Sequence, residues 1–334
     1  MLGAPKRPPA AMRLLLFALG TTAALRASWS PITSKIQPSP RSGATATATK
    51  DGSVYLFGGY EEDEAGARTV VDDLWRYDSD GWTRVATGGP GPRLCSALAA
   101  VGGELFLFGG WDPETEGTGG SILDDVWAYD IAAGRWESCA PLPGGPASRH
   151  VCCALASGDV LVHTHRSETS VLLFDAATRE WREQATSGPA PSSRGLHVAA
   201  AVDAGVVVFG GADKSGAMCA DAFVLDVATW TWRALGATGP AGRAGAAAAP
   251  LDATSVVVAG GAARGDDGGL DPLGDVWVLD VAADAWRRAD ASGDFKPRNA
   301  LVLCPSGGGF LVHGGWRPFV ETYGDTLALD VSSS

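Results

Sequence analysis

Residues 54–59 read VYLFGG, an apolar run that ends in a glycine pair, and this run recurs along the chain about every fifty residues. Short apolar runs bounded by turn-forming residues predict β-strands. The third copy keeps the strand but replaces the glycines by Thr164 and His165. The other copies are LFLFGG to Gly110, VVVFGG to Gly211, VVVAGG to Gly261 and FLVHGG to Gly315.

Three further features recur in the same order within the units. A second strand ends in aspartate, at Asp78, Asp130, Asp175, Asp226, Asp280 and Asp330. A tryptophan opens the next strand, at Trp82, Trp136, Trp181, Trp232 and Trp286. An arginine precedes the small-residue strand that begins each unit, at Arg41, Arg93, Arg149, Arg194, Arg243 and Arg298. Each unit therefore predicts four short antiparallel strands and leaves little room for helix.

These features together resemble the Kelch repeat, whose units form the blades of a β-propeller. The resemblance implies an all-β, six-bladed Kelch-type propeller with four antiparallel strands in each blade. Only five tryptophans occupy the register of the outer strand, and Trp29 lies 53 residues before Trp82. We therefore predict that an N-terminal strand supplies the missing outer strand and closes the ring, which removes exposed sheet edges.

The predicted domain organisation is a leader over residues 1–27 and one propeller over 28–334. The leader has basic residues, an apolar run and no acidic residue, a pattern that suits a secretory signal or an organellar transit peptide. Its apolar run is too short to span a membrane. We expect a secretory or organellar protein, with a cytoplasmic one as the alternative. The blades are placed at about 41–85, 93–139, 149–184, 194–235, 243–289 and 298–331, the last completed by 28–36.

The composition restricts the partners. Lys and Arg number 26 against 38 Asp and Glu, which gives a net charge of -12. Such a chain has no general attraction to nucleic acid or to anionic membranes, so neither is expected as a partner. The six cysteines follow no regular spacing and predict no disulfide framework. We expect a monomer.

The repeated arginines are the first candidate binding residues. In propellers of this family the loops that precede the first strands lie on one face around the central channel. Six guanidinium groups at a shared opening would bind carboxylates or phosphates through paired hydrogen bonds. The alternative is a structural role in which they donate to loop carbonyl groups. The predicted ring is Arg41, Arg93, Arg149, Arg194, Arg243 and Arg298.

The loops after the glycine pairs are the second candidate. They differ most between the units, and variable loops on a rigid scaffold commonly carry specificity. Aromatic and arginine side chains in them suit a protein interface, although the aromatic rings could also pack on their own loops. The candidate residues are Tyr60, Trp111, Trp316 and Arg317.

The sequence lacks the site residues of two metal-dependent families built on Kelch propellers. Galactose oxidase, a copper enzyme with Kelch units, needs two tyrosines and two histidines, but Tyr60 and Tyr323 have no matching histidine pair. Nitrile-specifier proteins carry Glu, Asp and His at four-residue spacing for iron. Glu321 and Asp325 keep this spacing, but Leu329 stands at the histidine position. We therefore assign no catalytic residue, no metal site and no cofactor.

The histidines of the third unit are candidates for a metal site. His163 and His165 share one face of a strand, and His150 begins the strand before it, so three nitrogens could meet. Against this, His163 occupies the register of Phe57, where a core side chain is expected. His313 occupies the same register in the sixth unit.

The function predicted from the sequence is a non-catalytic scaffold or adaptor. Its loop face around the channel would bind an acidic peptide or protein segment. The alternative is a propeller enzyme that acts on a small molecule or sugar, as an oxidase, an epimerase or a specifier protein. An enzyme should gather titratable groups in a closed pocket, whereas an adaptor should have an open rim with exposed aromatic residues.

Overall fold

The computed structural model describes residues 24–63, 65–86, 89–115 and 119–333. Most of the predicted leader, up to residue 23, lies outside these ranges. Every regular element within them is a β-strand, which confirms the all-β prediction. In this part of the chain no helix is long and apolar enough to cross a membrane.

The described strands form six sheets of four or more strands, numbered 1 to 6 here in chain order. Neighbouring strands within sheets 1 to 5 are antiparallel. Sheet 1 consists of Thr45–Ala48, Val54–Phe57, Leu74–Asp78 and Gly81–Ala86; sheet 2 of Ala97–Val101, Glu104–Asp112, Ser121–Asp130 and Arg135–Cys139; sheet 3 of Val151–Ala154, Asp159–His163, Ser170–Asp175 and Trp181–Ala185; sheet 4 of Val198–Val202, Gly205–Phe209, Ala222–Asp226 and Thr231–Leu235; and sheet 5 of Ala247–Pro250, Ser255–Ala259, Val276–Asp280 and Ala285–Arg288.

Sheet 6 combines the two ends of the chain. Its strands Val302–Ser306, Gly309–His313 and Thr326–Ser333 are followed by the N-terminal strand Leu25–Ile32, which pairs antiparallel with Thr326–Ser333. The N-terminal strand alternates buried and exposed residues from Leu25 onward, as a strand with one face in the core must. It begins inside the segment assigned to the leader, so residues 25–27 belong to the sheet. Asp290–Ser292 pairs parallel along its outer side.

Short strands follow several of the glycine pairs and form small hairpins above the sheets. Each hairpin lies between the second and third strands of its sheet. The hairpins of sheets 5 and 6 are two-stranded, and in that of sheet 1 a third strand joins from the segment before the first strand. They are Arg41–Ser42 with Tyr60–Glu62 and Arg68–Val70, Ala262–Arg264 with Leu270–Pro272, and Trp316–Arg317 with Glu321–Thr322.

The first strands of the six sheets surround a common channel. They contact one another in cyclic order, from sheet 1 through sheet 6 and back to sheet 1. The channel encloses a cavity of about 200 Å³. Small side chains such as Ala46, Ala199 and Ala248 line it. The small-residue strands of the repeat are therefore explained by the narrow space that their side chains and backbone share.

The repeated tryptophans fill the space between neighbouring sheets. Each packs on the residue directly before the glycine pair of the preceding sheet, or before Thr164 in sheet 3, with ring centroids 5.0–5.7 Å apart. His163 and His313 take this position in sheets 3 and 6 and are 1% exposed, in agreement with the core register predicted for them. The contacts are Trp136 with Phe57, Trp181 with Phe108, Trp232 with His163, Trp286 with Phe209 and Trp82 with His313.

The glycine pair is required by close backbone approach. Gly58 has a φ of +66°, and a Cβ on it would lie 2.6 Å from the carbonyl oxygen of Arg93 in the next unit. Gly59 has a φ of +105° and donates its N–H to that same carbonyl at 2.9 Å. An L side chain fits neither the backbone conformation nor the space. The pair therefore joins each unit to the following one.

Candidate functional site

Two sets of loops meet at one end of the channel. The residue after each glycine pair forms a bridge with the segment that leads into the first strand of the same sheet, in five of the six sheets among the described residues. The loops after the glycine pairs and those before the first strands therefore share one face, as predicted. The bridges are Ser42 with Tyr60, Leu94 with Trp111, Gly195 with Ala212, Ala244 with Ala262 and Asn299 with Trp316.

Six residues, each two positions before the first strand of its sheet, form the channel mouth, and we call them the mouth ring. Each donates its backbone N–H to the carbonyl oxygen of the ring residue in the preceding sheet, at 2.7–3.0 Å. All six have a positive φ, between 52° and 65°. Non-glycine residues rarely adopt this conformation unless the surrounding structure holds them there. The mouth ring is Gly43, Cys95, Arg149, Leu196, Gly245 and Ala300, and it borders a cavity of about 110 Å³.

Five of the six predicted arginines are buried and form an ion pair with an aspartate. In the first, Arg41 donates Nη1 to Asp73 Oδ1 at 2.7 Å and to the Gly58 carbonyl at 3.0 Å, and Nη2 to Asp73 Oδ2 at 3.1 Å. The other four repeat this arrangement, each with the carbonyl of the first glycine of its pair. They are Arg93 with Asp125, Arg194 with Asp221, Arg243 with Asp275 and Arg298 with Asp325.

The five paired arginines differ in environment from Arg149, although the sequence pattern placed all six in one ring. The five guanidinium groups belong to residues no more than 2% exposed, and their paired donors are already bound to a carboxylate and a carbonyl. The aspartate follows 27 or 32 residues later in the same sheet, within the third strand in sheet 2 and directly before it in the other four sheets. Nothing in the local sequence pattern shows which side chain this aspartate meets.

Three of the ion pairs, those of Asp73, Asp125 and Asp275, hold the aspartate in its charged form. Burial raises the pKa of Asp73, but the hydrogen bonds and positive charge of Arg41 outweigh it and keep the pKa below its ordinary value of 3.8. The same balance of burial against an arginine lowers the pKa of Asp125 and Asp275. These pairs therefore remain ionised throughout the neutral range.

Acid is expected to weaken the fold through these pairs. Because the pKa of Asp73 is lower in the folded than in the unfolded chain, its contribution is complete above about pH 4 and is lost as the pH falls through the folded value. Asp73→Asn should therefore be less stable than wild type at neutral pH, and the difference should shrink below about pH 4. Urea unfolding between pH 2 and 7 measures it. A difference that stays constant with pH would contradict this account.

Arg149 is not equivalent to the other five arginines. Ala147 occupies their register, since it accepts the N–H of Gly110 at 2.9 Å as Arg93 accepts that of Gly59. Arg149 lies two residues later, in the mouth ring, and its side chain is exposed. Its guanidinium carbon lies 5.5 Å from the centroid of the Trp111 ring. The signal that could have found this is the pair of His-Val dipeptides at 150–151 and 197–198, which align the two units without the arginine.

The rim residues predicted from the loops have different surroundings. Tyr60 is half-buried in the hairpin after sheet 1. Trp111 is half-buried beneath Arg149, and Trp316 is half-buried between Phe319, 5.5 Å away, and the guanidinium of Arg68, 5.8 Å away. The two tryptophans therefore pack partly on neighbouring loop side chains. Arg317 is exposed.

His150, His163 and His165 do not form the three-nitrogen metal site that the sequence made conceivable. His163 Nδ1 lies 3.0 Å from Nε2 of His197, whereas His165 is exposed. Burial, with the charge of Arg194, lowers the pKa of His163 to about 3, and burial with the charge of Arg166 lowers that of His150 to about 4. These imidazoles are neutral at physiological pH. No group of three metal-ligating side chains occurs among the described residues.

The positions compared with enzymes are engaged in other contacts. Asp325 is the ion-pair partner of Arg298, and the Arg298 guanidinium also lies 3.9 Å from the centroid of the Tyr323 ring. Glu321 pairs with Lys296, 3.3 Å away. These contacts connect the loop between the second and third strands of sheet 6 to the segment that precedes the first strand of that sheet.

Repeated four-stranded sheets around a channel, with glycine pairs and buried arginine–aspartate pairs, define a β-propeller of Kelch repeats. A family model described as the KLHDC2/KLHL20/DRC7 Kelch-repeats domain matches residues 9–203 and 163–334. The chain belongs to this family of Kelch-repeat proteins.

Two curated relatives and one solved structure show the range of similarity. Kelch domain-containing protein 2 of Bos taurus is 26% identical over 322 residues, which cover 83% of this chain and 76% of that protein. Acyl-CoA-binding domain-containing protein 4 of Arabidopsis thaliana is 26% identical over 308 residues, 84% of this chain, and the match spans only 43% of that protein. The structure of YjhT superposes with a TM-score of 0.68 at 19% identity, over 90% of this chain and 99% of the other.

Proposed function

We propose that the six sheets are the blades of one closed propeller and that the N-terminal strand completes the sixth blade. Three observations support this. The first strands contact each other cyclically, the six hydrogen bonds of the mouth ring return from Ala300 to Gly43, and Leu25–Ile32 pairs with the strand at the C-terminal end. On this proposal one domain extends from residue 25 to residue 333.

We further propose that the propeller is a non-catalytic scaffold whose mouth face binds an acidic segment of a partner protein. The observation that carries this proposal is the exposed Arg149 side chain at the channel mouth, held over Trp111 and without an ion pair to any carboxylate in the described residues. A guanidinium in this state retains free donors for a carboxylate, and the ring beneath it restricts its orientation.

The surroundings of Arg149 favour an anionic ligand despite the negative net charge. Two exposed cations lie in loops between second and third strands, Arg166 in sheet 3 and Lys214 in sheet 4. Partial burial, followed by the positive charges of Arg166 and Lys214, lowers the pKa of His165. The nearby Asp213 is engaged by the backbone N–H groups of its own turn, from Ser215 and Ala217. The three cations of this sector, Arg149, Arg166 and Lys214, therefore outnumber the carboxylates of Asp213 and Glu168 by one.

Two features favour a protein partner over a small substrate. The cavities at the mouth and in the channel measure about 110 and 200 Å³, below the usual range for pockets that enclose organic ligands. Aromatic and arginine side chains stand instead on an open rim, which is the composition of protein-interface hot spots. Kelch propellers commonly serve as protein-interaction scaffolds, and the match to Kelch domain-containing protein 2 is consistent with that use.

The proposal predicts that Arg149→Ala and Trp111→Ala weaken partner binding at least about tenfold. Thermal unfolding of Arg149→Ala should stay close to wild type, because the side chain is exposed. The measurement is affinity capture with quantitative mass spectrometry, followed by titration of the purified partner. Arg135→Ala is the matched control, since the Arg135 side chain is 68% exposed on the outer strand of sheet 2. Equal capture by Arg149→Ala and Arg135→Ala would contradict the proposal.

A further inference from the structure

The hairpin between the second and third strands of sheet 6 carries the most exposed large apolar side chains of the described residues. Its strands Trp316–Arg317 and Glu321–Thr322 are joined by a turn through residues 318–320. Phe319 is 89% exposed and Val320 is 64% exposed. Asn299 bridges to Trp316, so this turn stands on the same face as the channel mouth. We call Phe319 and Val320 the hairpin tip.

The backbone at the hairpin tip is unfavourable for phenylalanine. The N–H of Val320 donates to the carbonyl of Arg317 at 3.0 Å, Pro318 occupies the second position of the turn, and Phe319 in the third has a φ of +59°. These are features of a type II turn, whose third position strongly favours glycine. A bulky residue with positive φ stores backbone strain.

Folding therefore gains little from Phe319. A glycine would relieve the strain, and a polar side chain would avoid exposing an aromatic ring to water. Strained residues and exposed apolar groups both concentrate at functional surfaces. The combination at one residue indicates that its side chain is kept for contact with another molecule.

The hairpin holds the tip in a fixed position. Pro318 is buried, and the Phe319 ring lies edge-on to Trp316 at 5.5 Å. The Thr322 hydroxyl donates to Glu62, which connects the hairpin to its neighbour after sheet 1. An anchor that is ordered before binding loses less conformational entropy when it docks.

The charges beside the tip indicate the chemistry of the opposing surface. Glu62 pairs with Arg68, and Glu321 pairs with Lys296, so these cations are compensated. Arg317 is exposed and forms no ion pair with a described carboxylate. A complementary surface would therefore present an apolar pocket with a carboxylate at its rim.

We propose that the hairpin tip is an anchor that inserts into an apolar, acid-rimmed pocket of a folded partner protein. This inference rests on the proposed function, because it assumes that a protein binds the mouth face. It adds that the partner presents a folded, concave surface beside its acidic segment. An extended peptide alone offers no such pocket.

The test uses Phe319→Gly in the full chain. This substitution should leave the unfolding temperature unchanged or raise it, because glycine suits the turn, while it weakens partner binding at least about tenfold. Ile36→Ala is the matched control, since Ile36 is 55% exposed and lies outside the hairpin. The partner is the protein that the intact chain captures and Arg149→Ala loses, purified and titrated against each variant.

A second measurement identifies what the tip contacts. The photoreactive amino acid p-benzoylphenylalanine in place of Phe319 should crosslink to an apolar residue within a folded domain of that partner. Binding of the intact chain to vesicles of phosphatidylcholine and phosphatidylserine, lost in Phe319→Gly, would instead assign the tip to a membrane and overturn the inference.

The outcomes separate the inference from the proposed function. If Phe319→Gly binds the partner as tightly as wild type while Arg149→Ala does not, the inference fails and the proposed function stands. If neither variant weakens capture of any protein, both fail. Crosslinks that fall only on a disordered segment of the partner also contradict the anchor.

Discussion

Arg41→Ala is expected to lower the free energy of unfolding by about 3–5 kcal/mol, as expected when a buried ion pair loses one member. Arg41 is 1% exposed and the Asp73 side chain is 7% exposed, so truncation leaves a carboxylate with little access to water. The substitution also removes the donors to the Gly58 carbonyl and to Ser39. Urea or thermal unfolding with both near-ultraviolet and far-ultraviolet detection measures the loss.

Two comparisons make this result specific to the buried pairs. Arg149→Ala should change stability by less than about 0.5 kcal/mol, because that arginine is exposed. Arg298→Ala should cost less than Arg41→Ala, because the side chain of its partner Asp325 is 41% exposed and can be hydrated. A loss below about 1 kcal/mol for Arg41→Ala would return the buried arginines to consideration as ligand-binding residues.

Trp29→Ala is expected to lower the free energy of unfolding by about 3–5 kcal/mol, the usual cost of truncating a large buried aromatic side chain. Trp29 is 5% exposed, and its ring stacks on Phe295 with centroids 4.0 Å apart. Deletion of residues 1–32 should have a larger effect, since it uncovers the edge of Thr326–Ser333 and the buried Leu327 and Leu329. We expect the deletion variant to unfold without cooperativity and to aggregate through the exposed strand edge.

Ser30→Ala is the control for the N-terminal strand. Ser30 lies in the same strand but points its side chain to solvent, so the change should stay within about 0.5 kcal/mol. Chemical unfolding curves of the three variants, measured together, give the comparison. A deletion variant as stable as wild type would contradict closure by the N-terminal strand.

The sequence predicted the fold through features that each repeat displays locally. Alternating strands, glycine pairs and tryptophans recur in order, and each depends on backbone geometry or on side-chain size within a short segment. The register of His163 with Phe57 was predictable for the same reason. The start of the N-terminal strand was less so, because Leu25 and Ala27 also fit an apolar leader.

The candidate site was predicted less completely. The arginine pattern predicted a binding ring of six equivalent residues, whereas five of them pair with aspartates and Arg149 lies two residues beyond their register in the third unit. The contact of His163 with His197 joins two sheets and has no local signal. Trp111 and Trp316 stay predicted binding residues, because their position in variable loops indicates an interface without any contact data.

The amino-acid sequence by itself determined the strands, their order and the Kelch repeat, because period-two alternation and turn chemistry act over a few residues. Only the tertiary structure decided which charges are free. Asp73 reaches Arg41 from 32 residues away, while Arg149 faces solvent above Trp111 and Phe319 occupies a strained turn. Burial and ion pairing arise where distant strands meet, so local sequence cannot distinguish a neutralised arginine from one available to a partner.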